Sequence, residues 1–123
     1  MSRSDIRQLA LDTVESHFPA LSGSVSKSRR PDNRTVTSPR CNVYLVGEGP
    51  DSISLSTSLM ESSLILEFHE DGATDDELDA YGSIIPVLRE TLSVQGYACG
   101  YNGSEYVDGE DTVTFEFQVK YEV

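Results

Sequence analysis

A chain of 123 residues carrying 21 acidic and 9 basic side chains, net charge −12, has the length of one domain with one buried core. No apolar run approaches the roughly 20 residues that span a bilayer. Met1-Ser-Arg-Ser-Asp-Ile6 lacks the apolar stretch of a secretory signal, so neither a membrane protein nor a secreted one is expected.

The first element is a helix. Ser4 is placed to cap it, Asp5 lies at its positive end, and Ile6, Leu9, Ala10, Val14 and Phe18 recur at helical spacing until Pro19 stops it. Residues 20–40 then lose all periodicity. They are rich in Ser, contain Pro31 and Pro39, and hold five of the nine basic residues: Lys27, Arg29, Arg30, Arg34 and Arg40. A short strand near Ser24–Ser28 or Arg34–Thr37 is compatible with the pattern, and the rest reads as a long exposed loop of the kind that is either functional or disordered. These five cations are the candidate contact residues of the chain.

Cys41-Asn-Val-Tyr-Leu-Val46 is strand-like and runs into Gly47-Glu-Gly-Pro50, a turn cluster. Ser52–Thr57 reads as a ragged strand. Over Leu59 to Glu70, Met60, Leu64, Leu66 and Phe68 alternate with Glu61, Ser63, Glu67 and His69, which predicts a strand with one buried face. Asp71-Gly72 turns the chain, and Thr74-Asp-Asp-Glu77 is a capping box. Leu78, Tyr81, Ile85, Leu88 and Leu92 form the next helical stripe, with Pro86 expected to kink or split it near Gly82–Ser83 and Gly96 to end it. A short strand over Tyr97–Asn102, an acidic turn over 103–111 and a final strand complete the chain. In that last strand Val113, Phe115, Phe117, Val119, Tyr121 and Val123 face the core. The expected architecture is α+β, one domain over residues 1–123, with a mostly antiparallel sheet and two main helices packed on one face.

Chemistry-bearing patterns are scarce. His17 and His69 are the only histidines, and neither lies in a motif with a Ser or Cys nucleophile. Gly47-Glu-Gly-Pro50 lacks the Lys and the following helix of a phosphate loop. Cys41 and Cys99 are too few for a disulfide scaffold or a four-thiolate metal site and read as core residues. Two acidic clusters, Glu70/Asp71/Asp75/Asp76 and Glu105/Asp108/Glu110/Asp111, miss the ligand spacing of a helix-loop-helix calcium site and read as solvated turns. No catalytic residue, cofactor or metal is therefore expected.

The charge is divided along the chain. Residues 1–47 carry seven basic and four acidic side chains, whereas residues 48–123 carry two basic and seventeen acidic ones. A surface this negative repels nucleic-acid phosphate, and the excess of acid with only two lysines suits solubility in concentrated salt.

Several short motifs in shared order carry a family resemblance. Asp75-Asp-Glu-Leu-Asp-Ala-Tyr81 followed by Ile85-Pro-Val87, Val43-Tyr-Leu-Val-Gly47, Gly96-Tyr97 and the closing Phe117-Gln-Val-Lys-Tyr-Glu-Val123 together resemble the tail terminator proteins of long-tailed viruses, the family of the minor tail protein U of lambda-like phages. The likeness covers roughly residues 41–123. The N-terminal helix agrees in kind, and the basic segment departs from the family pattern. The resemblance implies an α+β subunit without catalysis that forms a homo-hexameric ring. The ring would cap the completed tail tube and offer a surface to the head–tail connector or adaptor protein. It implies a virion protein of the tail or neck, assembled in the host cytoplasm, with viral DNA passing through the channel without specific binding. Another neck ring, a tail-completion or head-closure adaptor, is the neighbouring reading, and a small non-viral α+β binding domain is the reading from a different class.

Overall fold

The structure, a computed structural model, describes residues 3–27, 38–50, 59–107 and 109–122. Three α-helices, α1 (Arg3–His17), α2 (Asp75–Asp79) and α3 (Ile84–Val94), accompany five strands, β1 (Val25–Ser26), β2 (Arg40–Pro50), β3 (Leu59–His69), β4 (Ala98–Val107) and β5 (Thr112–Glu122). The strands form one sheet in the order β1-β2-β3-β5-β4. β1 pairs with β2 in parallel, and every other pairing is antiparallel. This is the α+β class expected from the sequence. Among the described residues no helix is long and apolar enough to cross a membrane.

One core lies between the sheet and the helices. Ile6, Ala10 and Val14 of α1 and Ile84, Leu88 and Leu92 of α3 meet the inward side chains of β2, β3 and β5, among them Val43, Leu64, Leu66, Phe68, Val113, Phe115, Phe117 and Val119. The period-two alternation of β3 and β5 and the 3.6-residue period of the helices therefore point at one another across a single interface. Aromatic rings tie its elements together. Phe68 stacks on Tyr81 at a centroid distance of 4.5 Å, and both meet the ring of Phe18 edge-on at 5.7 and 5.2 Å.

Local signals set the helix ends. Glu77 N–H donates to Thr74 Oγ1 and Thr74 N–H to Glu77 Oε1, both at 3.2 Å, which is the capping box in full. A 3₁₀ turn, Ala80–Ser83, separates α2 from α3 and leaves Pro86 in the first turn of α3, where its missing N–H is not needed. At the other end Gly96 has φ +92°, Tyr97 N–H donates to Leu92 O at 2.9 Å and Gly96 N–H to Ser93 O at 3.0 Å. This is the paired-bond stop in which a left-handed residue reverses the chain.

Three details differ from the sequence reading. α1 already includes Arg3, so Ser4 lies within its first turn and is not its cap. Gly47-Glu-Gly-Pro50 is not a turn. β2 continues through it with a register shift between Val46 and Gly49, and Gly47 takes φ +69°. β4 extends to Val107, so the hairpin connection is only 108–111, and Asn102 is an extra residue opposite the Phe117–Glu116 step. Gly103, at φ +140°, absorbs that bulge. The expected strand near Ser24–Ser28 is β1, whereas those at Arg34–Thr37 and Ser52–Thr57 lie outside the described residues, as does the core position assigned to Val123.

Candidate functional site

The helices cover one face of the sheet and leave the other without a covering element among the described residues. On that second face the register sets side chains in rows. One row runs Asn42, Glu67, Thr114, Glu105 across β2, β3, β5 and β4, and the next runs Tyr44, Ile65, Glu116, Gly103. Neither row contains a Lys or Arg. Glu67 is held by two donors from β2, with Asn42 Nδ2 at 3.1 Å from Oε1 and Tyr44 OH at 3.4 Å from Oε2. Asn102, the bulged residue of β4, donates from Nδ2 to Glu116 Oε2 at 3.0 Å. Ile65 is only 9% exposed although it belongs to this face. Around it lies a groove of about 260 Å³ lined by Ile65, Asn102, Gly103, Ser104, Glu105, Thr114 and Glu116. A carboxylate-rimmed groove with Ile65 at its floor can accept a cationic segment.

The five candidate cations are divided by the structure. Lys27 follows β1 directly and its Nζ donates to Gln8 Oε1 of α1 at 2.8 Å. Arg40 opens β2, paired with His69, so it is a strand residue and not part of a loop. Arg29, Arg30 and Arg34 lie outside the described residues. Lys27 and Arg40 thus mark the two stems of the basic segment, both at the β1–β2 side of the sheet.

His69 has partners that the sequence did not reveal. Its Nε2 is 2.6 Å from Asp71 Oδ1 and its Nδ1 is 2.9 Å from Thr112 Oγ1. Carboxylate, imidazole and hydroxyl occur in the order of a nucleophilic triad, but the exposures are inverted. The Asp71 side chain is 65% exposed, Thr112 is 5% exposed, and the Thr112 hydroxyl donates to Glu110 O at 2.7 Å. A nucleophile must face substrate, and this hydroxyl is buried with its proton committed to the Glu110 carbonyl of the adjoining turn. The trio clasps the end of the sheet, joining β3, β5 and the 70–72 turn. The acids nearby are also engaged: Gly72 N–H donates to Asp111 Oδ2 at 2.9 Å and Tyr81 OH to Glu70 Oε1 at 3.0 Å. Among the described residues no three His, Cys, Asp or Glu side chains converge as a metal site would require. His17, at the end of α1, contacts Ser83 Oγ through Nε2 at 2.9 Å and packs edge-on to Phe18.

The perturbed groups are thiols and phenols. Burial pushes the fully enclosed Cys41 thiol far above its ordinary range, with the Glu67 carboxylate adding to it. Burial raises Cys99 to about 11 against the opposing charge of Arg89. The Tyr81 hydroxyl is raised by burial first and by its hydrogen bond to Glu70 second. Tyr106, on the exposed edge strand, donates to Asp79 of α2, and that bond pushes its phenol up to about 12. In each case the neutral form is favoured, which is the reverse of what an activated nucleophile needs.

The rows on this face were missed because Glu67 and Glu116 are ordinary outward residues in the sequence and Glu105 reads as part of an acidic turn, whereas it lies in β4. Outward alternation in two strands was the available signal, but only the register, with β5 between β3 and β4, gathers them. No family model matches the chain, and no curated protein does.

Proposed function

We propose that the chain is a structural subunit of a virion neck, a tail terminator that closes into a ring on the last ring of the tail tube and presents a surface to the head–tail connector. The observation that carries this reading is the construction of the sheet: one face is committed to the helices, the other has no covering element among the described residues, and the two edges are unlike. A subunit with unlike edges makes heterologous contacts, which generate rings when the rotation closes. The resemblance adds weight because its motifs occupy structural joints: Val43–Gly47 runs into the β2 bulge, Asp75–Val87 spans the α2–α3 break, and Gly96-Tyr97 forms the stop of α3. His69, Asp71 and Thr112 tie β3, β5 and the turn between β3 and α2 together, a rigid joint of the kind an assembly subunit needs. A strongly negative ring would let DNA pass without adhering.

The test is assembly state and particle position. Native mass spectrometry and negative-stain imaging of the purified chain with its tail-tube protein should give a closed ring of six at the end of the tube. A subunit that stays monomeric or dimeric in the presence of tube would overturn the reading. A ring found at the head side of the neck would move it to a head-closure adaptor.

A further inference from the structure

The stems of the basic segment and the groove on the second sheet face lie toward opposite edges of the sheet. The stems of residues 28–37 are Lys27, just past the edge strand β1, and Ser38, whose Oγ accepts from Asp71 N–H at 2.8 Å beside the start of β2. The groove holding Glu105 and Glu116 lies over β5 and the other edge strand, β4. β1 and β4 are four strand spacings apart, about 19 Å. For its own backbone to pass over that groove, the segment would have to run from Lys27 across the sheet and back along it to Ser38. That path takes about 37 Å, close to the full extension of eleven peptide steps. A second copy approaching edge to edge brings the same segment to the groove without stretching.

We propose that the uncovered face, at the groove lined by Ile65, Glu105, Glu116 and Asn102, receives the basic segment of a second copy of this chain, with Arg29, Arg30 and Arg34 as the cations. The inference deepens the ring reading and rests on it. Three arginines in six residues meet two rows of the face that contain Glu67, Glu105 and Glu116 and no cation. Guanidinium groups pair with carboxylates in a two-point geometry that fixes orientation as well as affinity. Ile65, almost wholly buried at the floor, fixes the strand register that holds Glu105 and Glu116 on either side of the groove. Because the stems of the segment lie at the β1 edge and the groove toward the β4 edge, a copy that gives at one edge receives at the other.

The test uses the full-length chain and a synthetic peptide of residues 26–39. The peptide, titrated by calorimetry onto a chain carrying R29S, R30S and R34S, should bind. Binding should weaken at least tenfold when E105Q and E116Q are added, and it should weaken as salt rises. Light scattering should show self-association of the wild type lost in both variant sets, with circular dichroism verifying that each is folded. Peptide binding unaffected by E105Q and E116Q overturns the proposal. So does a wild-type chain that remains monomeric while its arginine-free form takes up the peptide, because the segment then occupies its own subunit. Loss of duplex-DNA binding with self-association intact in the arginine variant overturns it too. A closed ring that survives E105Q and E116Q removes this contact and leaves the ring reading standing. An association that depends on these residues but never closes supports the contact and removes the ring.

Discussion

Phe117 is fully buried at the centre of β5, its ring 5.4 Å from that of Tyr101 on the neighbouring strand. Truncation to Ala leaves a cavity that close-packed neighbours fill only in part, so Phe117→Ala should cost about 3–5 kcal/mol in a denaturant titration. Cys99 offers a chemical test of burial. Its thiol is raised to about 11, so thiolate is scarce at pH 8 and becomes abundant only as pH approaches 11. Alkylation should therefore be slow near neutrality and accelerate toward pH 11, with Cys99 modified ahead of the enclosed Cys41. The alternation that buries Phe117 could be read directly, since a period of two needs only the strand itself. The burial of Thr112 could not, since its partners are His69, 43 residues earlier, and the Glu110 carbonyl of the adjoining turn. Tyr106 escaped for a related reason: the inserted Asn102 changes the phase of β4, so a residue that counts as outward before the bulge comes to face α2 after it.

The break between α2 and α3 shows how an element boundary can be written locally. Thr74, Glu77, Pro86 and Gly96 each act through backbone groups within a turn of themselves, so capping box, split and stop were all legible. Pro86 supplies a prediction whose sign is informative. In a continuous helix its replacement by Ala would remove a defect and stabilise the protein by about 3 kcal/mol. In the first turn of α3 the proline costs no hydrogen bond and restricts the unfolded chain, so Pro86→Ala should instead destabilise slightly, by at most about 1 kcal/mol in the same titration. Gly47 and Gly103 carried a weaker message. A glycine at positive φ suits either a turn or a bulge, and the choice is made by the facing strand, which holds β2 in register to Met60 and β4 to Thr112. Non-local pairing of that kind leaves no mark within a short window of sequence.

At the scale of the whole molecule the dominant quantity is the net charge of −12. Like charges spread over so small a body oppose compactness, and added salt relieves them, since the Debye length shrinks from about 10 Å at 0.1 M to about 3 Å at 1 M. The midpoint of thermal unfolding should rise as potassium chloride is increased from low to molar concentration. A flat response would remove the case for adaptation to concentrated salt and leave the assembly reading untouched. The fold class was legible because α1, β3, α3 and β5 each declared their own period. The acidic rows of the uncovered face were not, because they exist only once β5 has been inserted between β3 and β4. The aromatic group at the base of the core has an optical consequence. The chain has no Trp and six Tyr, so its near-ultraviolet dichroism comes chiefly from tyrosine and phenylalanine. Tyr81 is held by three partners, stacked at 10° on Phe68, edge-on to Phe18 and hydrogen-bonded to Glu70. Its signal reports whether the end of α1, the end of β3 and the α2–α3 junction have come together, and Tyr81→Phe identifies that band without the introduction of a foreign label.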